Sequence, residues 1–142
     1  MAINYKNQSD AFWQERLDGE TYNVCRLRGT EYPGSGKYNS FDENGRYCCA
    51  ACGGDHVLFE SHVKYNSGSG WPSFFEAMSG AVTLRIDPDD KTKLYGKNPR
   101  IEAICSRCES HLGHVFDDGP DPTGKRYCIN SIALKFLADE EN

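Results

Sequence analysis

Apolar and polar positions alternate with a period of two in the middle of the chain. Val82, Leu84 and Ile86 interleave with Thr83, Arg85 and Asp87, the pattern of a half-buried strand. Short apolar runs at Val57-Leu58-Phe59, at Ile101 to Ile104 (interrupted only by Glu102) and at Ile132 to Phe136 add further strands. Near the N-terminus the pattern is helical instead. Ser9-Asp10 caps a short helix over Ala11–Leu17 that stops near Gly19, and a second runs from Glu20 to Arg26. Residues 29–45 are rich in Gly, Pro, Ser and Asn and read as loop, as does Asp117–Gly124. Phe74–Met78, after Pro72, is expected to form one helical turn, and the tail from Asp139 to Asn142 to fray. No linker divides the chain, so one domain is expected over 1–142, with a helical segment at about 9–27 and a β core at about 46–137.

Composition narrows the classes. The 14 glycines and 12% aromatics favour a turn-rich, mainly β domain over a helical bundle. Sixteen basic against 21 acidic residues give a net charge of −5, which argues against a nucleic-acid partner. No apolar run is long enough to span a membrane. Residues 1–6 lack the apolar core of a secretory signal, so a cytoplasmic location is expected. A monomer is the default expectation.

Seven cysteines are the informative count. In a reducing compartment they point to metal or catalysis rather than to disulfides. Cys49-Ala50-Ala51-Cys52 and Cys105-Ser106-Arg107-Cys108 are two C-x2-C knuckles. Each lets one tight turn aim two thiolates at a single point. Together they make a closed four-thiolate site, suited to one structural Zn2+ per chain. Cys48 is a competing ligand, but Cys49 reproduces the spacing of the second knuckle.

Cys25, Cys48 and Cys128 remain. On a strand, Arg126, Cys128 and Asn130 share a face. A guanidinium beside a thiol favours the nucleophilic thiolate, which marks Cys128 as a candidate nucleophile; a half-buried packing cysteine is the alternative. His111 and His114, three residues apart and just after the second knuckle, could deliver a proton to a leaving oxygen. Trp71, between Gly70 and Pro72, could be an aromatic wall.

Gly70-Trp71-Pro72-Ser73-Phe74, His111-Leu112-Gly113-His114-Val115-Phe116-Asp117-Asp118-Gly119-Pro120 and Arg126-Tyr127-Cys128-Ile129-Asn130-Ser131 resemble the B-type peptide-methionine (R)-S-oxide reductases. The paired knuckles resemble their zinc-containing subgroup, and Gly29-Thr30-Glu31-Tyr32-Pro33 is similar to their N-terminal motif. The likeness spans about residues 20–137. It implies two antiparallel sheets with short N-terminal helices, and repair of methionine sulfoxide in oxidised proteins with thioredoxin as electron donor. It implies Cys128 as nucleophile and His114 as proton donor, assisted by His111. It implies Trp71 against the S-methyl group, Phe116 as a further wall, and Asp118, Arg126 and Asn130 on the polar side.

One position departs from the pattern. Many members carry a resolving cysteine where this chain has Ser69. The second thiol is then Cys25, Cys48 or external, and Cys25 is favoured because the N-terminal segment could fold over the site. A non-catalytic, zinc-clipped β module with an aromatic pocket is the competing reading.

Overall fold

The computed structural model describes residues 3–88 and 100–139. Helix α1 spans Asp10–Arg16 and α2 spans Gly19–Cys25. Ser9 Oγ accepts the Phe12 N–H at 3.2 Å, and Asp18 Oδ1 accepts the Thr21 N–H at 2.8 Å, so each helix starts on a side-chain cap. Nine strands follow among the described residues: β1 Gly45–Cys49, β2 Val57–Glu60, β3 Lys64–Tyr65, β4 Ser73–Phe74, β5 Val82–Ile86, β6 Ile101–Cys105, β7 His111–Phe116, β8 Arg126–Ile129 and β9 Leu134–Ala138. They build two antiparallel sheets, one of three strands in the order β2-β1-β9 and one of six in the order β3-β4-β8-β7-β6-β5. Among the described residues no helix is long and apolar enough to cross a membrane.

Aromatic side chains join the sheets. Phe59 of β2 stacks on Phe74 of β4 with centroids 4.2 Å apart, and Tyr47 of β1 meets Phe74 edge-on at 5.2 Å. All three are fully buried, and burial of such a ring is worth about 1.5–3 kcal/mol. At the N-terminal end Trp13 is fully buried, with Phe12 edge-on at 5.1 Å and the Arg26 guanidinium 4.4 Å from its centroid.

Three local expectations need correction. The helical turn over Phe74–Met78 does not form. Phe74 pairs with Lys64 and Tyr127, and the Met78 N–H donates to Leu58 O, so cross-strand partners claim this segment. The last strand starts at Leu134, because Ser131–Ala133 is a 3-10 turn. The apolar face of β5 stays open, with Leu84 44% and Ile86 55% exposed, because β5 is the outermost strand of the large sheet. Most of the tail, residues 140–142, lies outside the described residues.

Candidate active site and metal centre

Cys128 lies on β8 between two partners in register, Ser73 of β4 and His114 of β7. Directly opposed residues present their side chains to the same face. Trp71, Gly113, His114, Phe116, Cys128 and Asn130 thereby line one small pocket of about 120 Å3. Sites for drug-sized ligands run to roughly 300–1,000 Å3, so this one suits the end of a side chain. The Trp71 indole N–H donates to Glu31 O at 3.1 Å, and the Glu31 N–H donates to Asn130 Oδ1 at 3.0 Å. The N-terminal loop therefore fixes two pocket walls through a single residue. Gly70 adopts φ +95°, and a Cβ there would lie 2.9 Å from Pro33 Cβ, so glycine permits the close approach of the two loops.

Burial pushes the Cys128 thiol above its ordinary 9.0, with Glu31 adding to the rise, against the Ser69 hydroxyl and the Arg126 guanidinium. Arg126 does favour the thiolate as its sequence position suggested, but desolvation outweighs it. Ser69 Oγ stands 4.0 Å from Cys128 Sγ. Ser67 bridges Ser69 at 2.8 Å and Ser73 at 2.7 Å, so three hydroxyls lie behind the sulfur. The Arg126 guanidinium sits 4.3 Å from the Phe116 centroid and makes a two-bond fork with Asp118, at 2.8 and 3.2 Å. Asp118 itself is exposed and outside the pocket lining, so it bears on the site through Arg126.

The histidine spacing carries a geometric problem. Residues three apart on a regular strand face opposite ways. Here β7 has one extra residue: Ala103 pairs with Gly113, but Ile104 pairs with His111, leaving Leu112 in a bulge. The bulge resets the alternation, and the two imidazoles meet edge-on with centroids 5.4 Å apart. Asn130 secures it, because both its backbone N–H (2.9 Å) and its side-chain amide (3.0 Å) donate to Leu112 O. Asn130 lies past the end of β8 and is buried rather than exposed on the Cys128 face.

Two buried carboxylates sit behind the histidines, and neither was selected from the sequence. Glu102, fully buried, accepts from His111 Nδ1 at 2.6 Å. Asp87, 4% exposed, accepts from His114 Nε2 at 2.6 Å. Burial would raise the Glu102 carboxyl, but hydrogen bonds from His111 and Arg85 outweigh it and hold the group below its ordinary 4.5. Burial draws His114 below 6.5, against an upward pull from Asp87. The available signal for Glu102 was its place as the one charge in an apolar strand run.

The four knuckle sulfurs form a separate centre. Cys49 ends β1 and Cys105 ends β6, so the cluster joins the two sheets. Cys49, Cys52, Cys105 and Cys108 are fully buried and their sulfurs all lie within 4.8 Å of one another. Cys49 to Cys108 and Cys52 to Cys105 are both 3.7 Å. Four sulfurs at a tetrahedral metal–sulfur distance of about 2.3 Å stand about 3.8 Å apart, so the donor set is positioned to bind one metal ion with no open coordination position.

Neither spare thiol reaches the pocket. Cys25 is 1% exposed, on the buried face of α2 with Thr21 and Val24. Burial, and then Cys108, push it up to about 12. The N-terminal segment does cover the site, but with Thr30 and Glu31, while Cys25 packs into the core. Cys48 is fully buried on β1. His111 is only 2% exposed and stands behind His114.

A thiol sharing one pocket with an imidazole and an indole, on a β scaffold whose sheets meet at four clustered cysteines, defines a thiol-centred class of protein with a four-sulfur set placed to bind a metal ion. Residues 17–138 match the SelR domain family, and the chain belongs to it. Proteins named peptide methionine sulfoxide reductase MsrB are similar over most of their length. Those of Methanosarcina mazei and Methanosarcina barkeri are 47% and 50% identical, covering 99% of this chain and 96% and 94% of theirs. That of Pseudomonas fluorescens is 48% identical over 88% of this chain and 91% of its own. A solved Mis18 "Yippee-like" domain shares the fold alone, at TM-score 0.50 and 18% identity, covering 70% of this chain and 100% of that one.

Proposed function

We propose that the protein reduces the R epimer of methionine sulfoxide in oxidised proteins, using Cys128 as nucleophile. The cross-strand pairing of Cys128 with His114, inside the pocket walled by Trp71, carries this reading. The Cys128 thiolate attacks the sulfoxide sulfur while His114 gives a proton to the sulfoxide oxygen. The hydroxyl then passes from the substrate sulfur to Cys128 Sγ as the sulfur–oxygen and the new sulfur–sulfur bonds of the adduct break, so methionine leaves as the thioether and Cys128 becomes a sulfenic acid. Trp71 and Phe116 hold the S-methyl group, which selects the epimer; Arg126, held by Asp118, lines the polar side.

Ser69 Oγ, a hydroxyl in place of a thiol, stands 4.0 Å from the sulfur, and Cys25 and Cys48 are enclosed. An external thiol therefore attacks the sulfenic acid, releasing water and forming a mixed disulfide. The second thiol of a dithiol donor such as thioredoxin then frees the Cys128 thiolate and leaves the donor oxidised. The four-cysteine centre holds one structural Zn2+, the metal suited to a closed set of four thiolates. The enzyme works as a monomer in the reducing cytoplasm.

Cys128→Ser tests the reading. The variant should keep its fold and lose reduction of R-sulfoxide peptides, measured by chromatographic separation of sulfoxide from thioether. Activity equal to that of the parent would remove Cys128 from the reaction.

A further inference from the structure

The two histidines are held by a charged assembly that crosses three segments of the chain. On β6, Glu102 Oε2 accepts from His111 Nδ1 at 2.6 Å, and Oε1 pairs with Arg85 Nε of β5 at 2.7 Å. After β5, Asp87 Oδ2 accepts from His114 Nε2 at 2.6 Å and lies 3.8 Å from Arg100 Nη2. Arg28, just beyond α2, reaches both carboxylates: Nη2 is 2.5 Å from Asp87 Oδ1, and Nε is 3.4 Å from Glu102 Oε2. Its backbone adopts φ +64°, a left-handed conformation that costs a non-glycine residue energy and persists where its surroundings enforce it.

A carboxylate can only accept, so each histidine must place its proton on the nitrogen facing its partner. The two carboxylates grip different nitrogens. We propose that Asp87 and Glu102, cross-braced by Arg28, are positioning residues that hold His114 as the Nε2–H form and His111 as the Nδ1–H form. His111 Nε2 is buried and without a hydrogen-bond partner among the described residues, as befits a bare ring nitrogen enclosed beside the second imidazole. His114 keeps Nδ1 as its working nitrogen. Nδ1 takes up a proton to form the imidazolium, delivers it to the acceptor oxygen and returns to the bare state, while Nε2–H stays on Asp87 throughout. This rests on the reductase reading only for the identity of that oxygen.

The test reads the resting protein first. In 15N–1H long-range correlation spectra of 15N-histidine-labelled protein near pH 8, His111 should show protonated Nδ1 and His114 protonated Nε2, each assigned by its own His→Gln variant. Asp87→Asn then supplies the contrast. Arg28 holds the amide oxygen at the Oδ1 position, so the amide NH2 must face His114 Nε2 and flip the ring to Nδ1–H. The same argument through Arg85 makes Glu102→Gln flip His111. Each flip should lower kcat by at least about 100-fold with KM within about twofold. Parent spectra with the opposite or mixed forms overturn the proposal, whether or not the variants fold. So do flipped rings with unchanged kcat. A failure of the reductase reading shows differently, as a parent protein with the expected ring forms and no turnover of R-sulfoxide.

Discussion

Changing pH separates two reactions of the same sulfur. Cys128 titrates above 9.0 and His114 below 6.5, for the reasons of burial given above. In the mechanism proposed above, sulfoxide reduction needs the thiolate and the imidazolium together. Between 6.5 and 9.0 the pair carries one dissociable proton in total, so the population with that proton on His114 does not vary with pH. Burial pushes both groups toward their neutral forms, raising Cys128 and lowering His114, so this population is small. Alkylation by iodoacetamide needs only the thiolate. It should rise tenfold per pH unit, about 300-fold over the window, while kcat/KM for an R-sulfoxide peptide stays flat and falls on both sides. Peptide mapping of the Cys128 label and initial-rate chromatography provide the two profiles. A reductase rate that climbs in step with alkylation would refute the assignment of His114 as the acid.

Ser69→Cys places a thiol where the hydroxyl stands 4.0 Å from Cys128 Sγ, and one equivalent of sulfoxide should then yield a 69–128 disulfide, seen by mass mapping. Cys25→Ala should cost roughly 1 kcal/mol in urea titration, as a small buried deletion does, and keep thioredoxin-driven turnover; single-turnover behaviour would make Cys25 the resolving thiol. Cys49→Ala should lose the one metal ion per chain in elemental analysis, and thermal stability with it. Glu102 titrates below its ordinary 4.5 in the folded chain. Its contribution is complete above 4.5 and fades as pH falls through the lower folded value, so urea midpoints should drop on acidification below 4.5, less steeply in Glu102→Gln.

Residues tied to a spacing were legible in the sequence. The paired C-x2-C turns declare four sulfurs aimed at one point, and the metal centre has that form. The alternation over Val82–Ile86 declares a strand, which forms. Residues defined by a partner distant in sequence were not legible. Asp87 and Glu102 gain their meaning from histidines 27 and 9 positions away, and from Arg28 on an unrelated segment. Cys25 is favoured in the sequence because the N-terminal segment could fold over the site, whereas the apolar face of α2 takes it into the core. Phe74 failed as a helical residue because stacking on Phe59 and pairing with β8 decide its conformation, and no local preference encodes either.

The extra residue at Leu112 turns chain length into chemistry. Shortening the 111–114 tetrapeptide by one residue would leave its composition almost unchanged and restore an uninterrupted pleat. Its two imidazoles would then sit an even step apart with no kink between them, and Asn130 would lose the carbonyl that anchors it. The count of these positions thus sets the anchor of Asn130, while the shared face of the two imidazoles would survive the shortening. A library that varies which residues fill this stretch of β7 samples a different problem from one that varies how many.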